Sequence, residues 1–181
     1  MTIARPGDEL PFRGDVKAMN LMPEMTLERC VILYLRLAIG WTFLYAGGSQ
    51  LLRNFSAAGF LNATKTFHSF FLMFAAPEML PYTDFLVKWG HTLIGLSLIS
   101  GLLVRLSAPF GILLLGTYYF AHMDFPYIEG PTNMIIDYHL IYIGVLVYLM
   151  TKSAGHVWGL DAVADRLPIV VNHPRLRPLV G

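Results

Sequence analysis

The sequence predicts an all-α integral membrane fold: a four-helix transmembrane bundle with an additional interfacial amphipathic helix between its first two spans. Three observations predict it. Hydrophobic residues make up 55% of the 181 positions and charged residues only 14%, against about 45–50% and about 25% in an ordinary soluble domain. The mean hydropathy is +0.55. Four separate stretches are apolar over the roughly 17–25 residues that a helix needs to cross a bilayer. The same composition narrows the function classes. A formal net charge of +1 with no basic run gives no basis for nucleic-acid binding. A single cysteine, Cys30, excludes an internal disulfide or a two-cysteine redox centre.

Residues 1–29 read as a polar cytoplasmic N-terminal segment, and residues 30–152 as the transmembrane domain. The first span covers 30–52, "CVILYLRLAIGWTFLYAGGSQLL". It is not a cleavable signal peptide, because a polar segment precedes it and Arg36 interrupts it. An outer interfacial connection, 53–83, follows. Within it Phe60, Leu61, Phe67, Phe70, Phe71 and Phe74 approximate one helical face, with Asn62, Lys65 and His68 elsewhere. That pattern predicts one amphipathic helix lying in the interface. The second span covers 84–104. A tight turn around Arg105 joins it to the third, 106–122, which is short and carries Pro109 in its first turn, where proline is tolerated. The fourth covers 131–150, and residues 153–181 form a cytoplasmic tail.

Orientation follows from lysine and arginine. With four spans, both termini and the Arg105 turn share a side that holds nine of them: Arg5, Arg13, Lys17, Arg29, Arg105, Lys152, Arg166, Arg175 and Arg177. The other side holds Arg53, Lys65 and Lys88. Nine against three predicts a multi-pass cell-membrane protein with both termini in the cytoplasm.

In that orientation His91, His122, Asp137 and His139 fall at one depth near the outer surface, together with Trp89, Tyr118, Tyr119 and Tyr138. A carboxylate inside a membrane is costly enough that function is the first hypothesis for Asp137. The plainer readings are a structural cap for Asp137, a satisfied core histidine for His91, and belt aromatics for Trp89 and the tyrosines. On a continuous helix Asp137 and His139 stand about 200° apart, so only one of them faces the interior. Asp137 shares a stripe with Asn133, Ile141, Gly144 and Tyr148, and its glycine favours close helix approach. Asp137 is therefore expected inside, and His139 toward a groove, a partner chain or lipid headgroups. His91 shares a face with Gly95 and is expected inside, while His122 reads as interfacial. Arg36 lies on a stripe with Gly40, Phe43 and Gly47, about 13 Å from the cytoplasmic end of its helix at 1.5 Å per residue. It is expected inside, either bonded to helix carbonyls or in contact with an anionic group. No metal-ligand spacing stands out. Haem between His91 and His139 is disfavoured, because Asp137 rather than His139 is expected to point inward.

Three motifs, "LRLAIGWTFLYAGGSQLL" at 35–52, "GLLVRLSAP" at 101–109 and "AGHVWGLD" at 154–161, occur in this order. Together they resemble the DoxX/DoxD membrane proteins over residues 30–166, closest to the DoxD-type large subunit of thiosulfate:quinone oxidoreductase. The resemblance implies oxidation of thiosulfate to tetrathionate, quinone as electron acceptor, and a DoxA-like small subunit or self-association. In that frame Asp137, His91 and His139 move protons, and Trp89, Tyr118, Tyr119 and Arg36 surround the quinone. Lys88 is the candidate thiosulfate contact if the anion binds outside; Arg105, like Arg36, matches a family arginine and is the candidate if it binds within the bundle. Two other function classes remain open: a non-catalytic subunit that anchors a respiratory or redox complex, and a small transporter.

Overall fold

The computed structural model describes residues 26–131 and 133–180. The expected N-terminal segment lies outside the described residues up to position 25, as do Arg5, Arg13 and Lys17 of the orientation count.

Helix α1, Leu27–Leu52, opens with the Thr26 hydroxyl accepting the Arg29 amide at 3.3 Å. Its buried face is Ile32, Arg36, Ile39, Gly40, Phe43 and Gly47. That face packs along α4, Leu80–Ser100, in the most extensive helix–helix contact among the described residues. Small residues set the closeness: Gly40 lies against Leu98 and Ile99, Gly47 against Thr92, and Gly95 of α4 against the backbone of Leu44. Close backbone approach through small residues is how helices associate where lipid removes the hydrophobic incentive to pack.

The chain between α1 and α4 departs from the single interfacial helix expected. It forms two short helices, α2 at Ala58–Asn62 and α3 at His68–Ala75. Side chains end the first of them: the Thr64 hydroxyl donates to the Leu61 carbonyl at 2.8 Å, and the Asn62 amide to the Ala58 carbonyl at 2.7 Å. Such local bonds compete with helix continuation. The Asp84 carboxylate then draws the segment back by accepting the Ala57 amide at 2.7 Å. Helix α3 meets α4 at a bend of 96°.

Helix α4 ends on Gly101, whose φ of 66° gives the left-handed C-cap that glycine adopts without strain. Helix α5, Val104–His122, starts two residues earlier than expected, so Pro109 falls in its second turn. It pairs with α6, Tyr138–Thr151. The fourth span was expected to be helical from 131; residues 133–137 are instead non-helical, and α6 starts at Tyr138. Before that loop a small hairpin forms from β1, Met123–Asp124, and β2, Tyr127–Ile128, which an all-α reading misses.

Among the described residues two helices, α1 and α5, are long and apolar enough to cross a membrane, and the bent pair α3–α4 makes a third if taken as one span. Helix α6 has 14 residues, about 21 Å at 1.5 Å per residue, short of a hydrocarbon core of about 30 Å.

Residues 153–180 close the opposite end of the bundle. Fully buried Arg36 donates to the carbonyls of Ala154 at 2.6 Å, Val157 at 2.9 Å and Trp158 at 3.3 Å. Helix α5 has no side-chain cap of its own. Asp161, on the short helix α7 at Asp161–Ala164, supplies one by accepting the Leu103 amide at 2.7 Å and the Val104 amide at 3.3 Å. Helices α8, Pro168–Asn172, and α9, Arg177–Val180, complete this cap, with Val170 and Val180 packed on Ala164.

Candidate functional site

Three histidines from three helices meet at the hairpin end of the bundle. His91 comes from mid-α4, His122 from the last turn of α5, and His139 from the first turn of α6. Tyr118, one turn before His122, joins them. Ring centroids lie 5.5 Å apart for His91–Tyr118, 6.3 Å for both Tyr118–His122 and Tyr118–His139, and 5.1 Å for His122–His139. Phe43 of α1 packs on His91 at 5.7 Å and Phe60 of α2 on His122 at 4.7 Å.

Each histidine is tied through the same nitrogen. Nδ1 of His91 donates to the Val87 carbonyl at 2.8 Å, and Nδ1 of His122 to the Tyr118 carbonyl at 2.9 Å. A carbonyl only accepts, so these bonds place the neutral ring's proton on Nδ1 and leave Nε2 as the exchanging atom. The Asp137 carboxylate imposes the same arrangement on His139 through a short contact to Nδ1. On α1, the Gln50 side chain lies near the Tyr118 hydroxyl, and its carbonyl oxygen is buried without a partner among the described residues.

The expectation that Asp137 and His139 cannot both face inward is overturned. Asp137 and His139 are only 3% and 2% exposed. The angular argument applies between helical residues, and Asp137 is the residue before the helix, with extended backbone at φ −131° and ψ −174°. From there its carboxylate accepts the amides of His139 at 3.1 Å and Leu140 at 3.5 Å, capping α6, and still reaches the His139 ring. The stripe assigned to Asp137 dissolves with it: Ile141 is 59% exposed, and nothing approaches Gly144. The reason given against haem, that His139 faces away from the bundle, falls as well. Among the described residues no group of three or more His, Cys, Asp or Glu could hold a metal ion.

The other expected site residues scatter. Tyr119 is buried, and its hydroxyl donates to the Ile135 carbonyl at 2.6 Å, tying down the loop before α6. Trp89 lines a separate apolar groove between α4 and α5, with Phe85, Leu93 and Phe110. Lys88 is half-buried on α4, whereas Arg105 is exposed in the first turn of α5. Twelve residues of α4 separate Lys88 from its C-terminal end, about 18 Å, so these two cations cannot serve one anion. Arg36 is spent on carbonyls at the far end. There, burial pushes the Asp161 carboxyl above its ordinary range, against the Leu103 and Val104 amides and the charges of His156 and Arg36.

Next to the cluster lies an apolar cleft of about 520 Å³ between α2, α3, α4 and α5. Phe55, Phe60, Phe70, Phe74 and Leu86 wall it, and Tyr118 and His122 bring it polar atoms. His122, expected only at the interface, thus links cluster and cleft together with Tyr118. Its i, i+4 spacing from Tyr118 is the signal that could have found it, since that spacing places both on one face. Phe60 comes from a helix whose position no local pattern gives.

No curated protein and no solved structure matches the chain. Residues 31–123 match the DoxX family, a stretch of just over half the chain that runs from α1 to the hairpin and includes Arg36, His91, Tyr118 and His122. With helices long and apolar enough to span a bilayer, this chain belongs to the DoxX family of membrane proteins.

Proposed function

We propose that this chain is the quinone-reducing membrane subunit of an oxidoreductase whose electron donor is thiosulfate. The observation that carries the reading is the apolar cleft ending on Tyr118 and His122. A quinone head group needs flat apolar walls and a few polar groups at its oxygens, in a site of about 300–1,000 Å³. The cleft continues along α5 into a second apolar pocket lined by Phe67, Ile112 and Phe120, sharing Phe70, Phe71, Leu113 and Thr117 with it. That path suits an isoprenoid tail.

In this reading two thiosulfate anions each lose one electron as their sulfur–sulfur bond forms tetrathionate. The quinone takes up both electrons and two protons. His122 Nε2 and the Tyr118 hydroxyl meet the quinone oxygens. Asp137 sets the tautomer and orientation of His139 behind His122, and His91 backs Tyr118. Lys88, on the half of α4 nearer the cluster, is the candidate contact for the anion. A DoxA-like subunit or a second copy docks at the hairpin end and completes the donor site. The chain crosses the membrane four times, with α6 and its flanking loop as the last crossing, and both ends lie in the cytoplasm.

The test is extraction of quinone from the purified full chain, then thiosulfate-driven reduction of a short-chain quinone after reconstitution. Stoichiometric quinone, and activity that His122→Phe abolishes, support the reading; no retained quinone and no added quinone bound would overturn it. The exposed groove around Trp89 favours a second reading, an anchoring subunit, whose mark is a cofactor-bearing enzyme that co-purifies while quinone is absent.

A further inference from the structure

We infer that His122 is a proton conduit between two cavities, taking protons from Glu129 in a polar cleft and delivering them to the quinone oxygen in the apolar one. The inference rests on the quinone reading above and adds the route by which its protons arrive. A polar cleft of about 460 Å³ lies on the other side of His122, between α2 and the β1–β2 hairpin. The two clefts share Phe60, Ala121 and His122 in their linings. Of these, His122 alone can carry a proton.

Local geometry leaves one ring nitrogen of His122 to serve both clefts. Nδ1 is committed to the Tyr118 carbonyl, so exchange runs through Nε2, which lies 3.8 Å from Glu129 Oε1. One bridging water or a small movement of the half-exposed Glu129 side chain closes that distance. Glu129 is held in register by its own amide, which donates to the His122 carbonyl at 3.2 Å. It sits there at a φ of 56°, a left-handed conformation that is strained for a non-glycine residue and concentrates at functional positions.

The surrounding charges suit protons rather than anions. Within the polar cleft Lys65 is paired to Asp124 at 2.5 Å. Glu129 therefore sets the sign there, with Tyr127 alongside and the Tyr138 hydroxyl near its carboxylate. Around His122 the other facing groups are Tyr118 on its own helix, His139 from α6 with Asp137 behind it, and the apolar Phe60 from α2. His91 stands one ring further, beyond Tyr118. Each proton passes from the Glu129 carboxylic acid to His122 Nε2 and then to a reduced quinone oxygen, and Glu129 recharges from water. Two passages with two electrons from the donor complete one quinol.

The experiment needs no physiological donor. Full-length protein in liposomes is loaded with a short-chain ubiquinone, and its binding is measured by tryptophan fluorescence. Dithionite then supplies both electrons, and quinone absorbance is followed by stopped flow across pH. Glu129→Gln should bind quinone within about twofold of wild type yet reduce it at least about tenfold more slowly, the lower edge of acid–base contributions. Added imidazole or formic acid should restore most of the rate, and Glu129→Asp should retain it. Full speed in Glu129→Gln with quinone bound overturns the conduit, as does a loss that no small acid rescues. Failure of wild type to bind quinone overturns the functional reading itself, and the conduit with it.

Discussion

Asp137 satisfies three donors with one carboxylate: the amides of His139 and Leu140, and the ring of His139. Its two tasks can be separated by substitution. Asparagine caps helices as well as aspartate does, whereas alanine loses about 1 kcal/mol at such a position. Asp137→Asn should therefore melt close to wild type, and Asp137→Ala should melt measurably lower. Only the carboxylate fixes the His139 tautomer, so Asp137→Asn should still slow quinone reduction by about tenfold, through kcat more than KM. Normal assembly with full rate would make Asp137 a cap and nothing more. Asp161 gives a pH prediction of opposite character. Burial raises its carboxyl above the ordinary value, so the folded state holds a proton that the unfolded chain has released, and stability falls as pH rises through the folded pKa. Melting in detergent from about pH 4, the unfolded range of aspartate, to pH 7 should show wild type losing part of its margin over Asp161→Asn. A margin that widens with pH would show that the amide bonds outweigh burial.

At the scale of elements, the glycines of α1 and α4 decide which surfaces can meet. A methyl group at Gly95 would overlap the backbone of Leu44, while one at Gly144 of α6 would meet nothing. Forcing extra atoms into a packed contact costs about 1–3 kcal/mol, and backbone on one side of the clash leaves little room to relax. Gly95→Ala should lower the melting temperature and, by parting α1 from α4, shift Phe43 away from His91. Gly144→Ala should be neutral or stabilising, because alanine favours helix by up to about 1 kcal/mol over glycine. Equal effects at the two sites would contradict the packing described. The same pair shows why a glycine on a helical stripe is a weak sign by itself: identical in sequence, one is a contact and the other open surface.

For the whole molecule the testable property is sidedness. Arg36 near the start of α1 holds the carbonyls of residues 154–158, so the first and last described segments sit together at one end, and the histidine cluster and hairpin lie toward the other. With Cys30→Ser as background, a cysteine at Phe125, 74% exposed on the hairpin, should label from outside intact cells. One at Ile169, 60% exposed in the terminal cap, should label only after permeabilisation. The reverse pattern would invert the orientation, and labelling of both from one side would mean that the bundle does not cross between them.

The sequence by itself determined the class of the protein, the long helices α1, α4 and α5, and the burial of Arg36, His91 and Asp137; the turn it placed around Arg105 falls instead at residues 101–103. Hydropathy and the expense of charge in lipid are properties of short windows, and they survive whatever the rest of the chain does. Tertiary structure alone decided that α6 begins after Asp137 instead of before it, which turned His139 inward. It also decided that the connection 53–83 breaks into two helices, which brought Phe60 onto His122. The Asp161 carboxylate came to cap a helix 57 residues earlier in the chain by the same means. These outcomes join local caps at Asn62, Thr64 and Asp137 to hydrogen bonds and ring contacts between segments far apart in sequence. A helical-wheel argument assumes that the helix is already there, and here the residue it was applied to is the one that starts it.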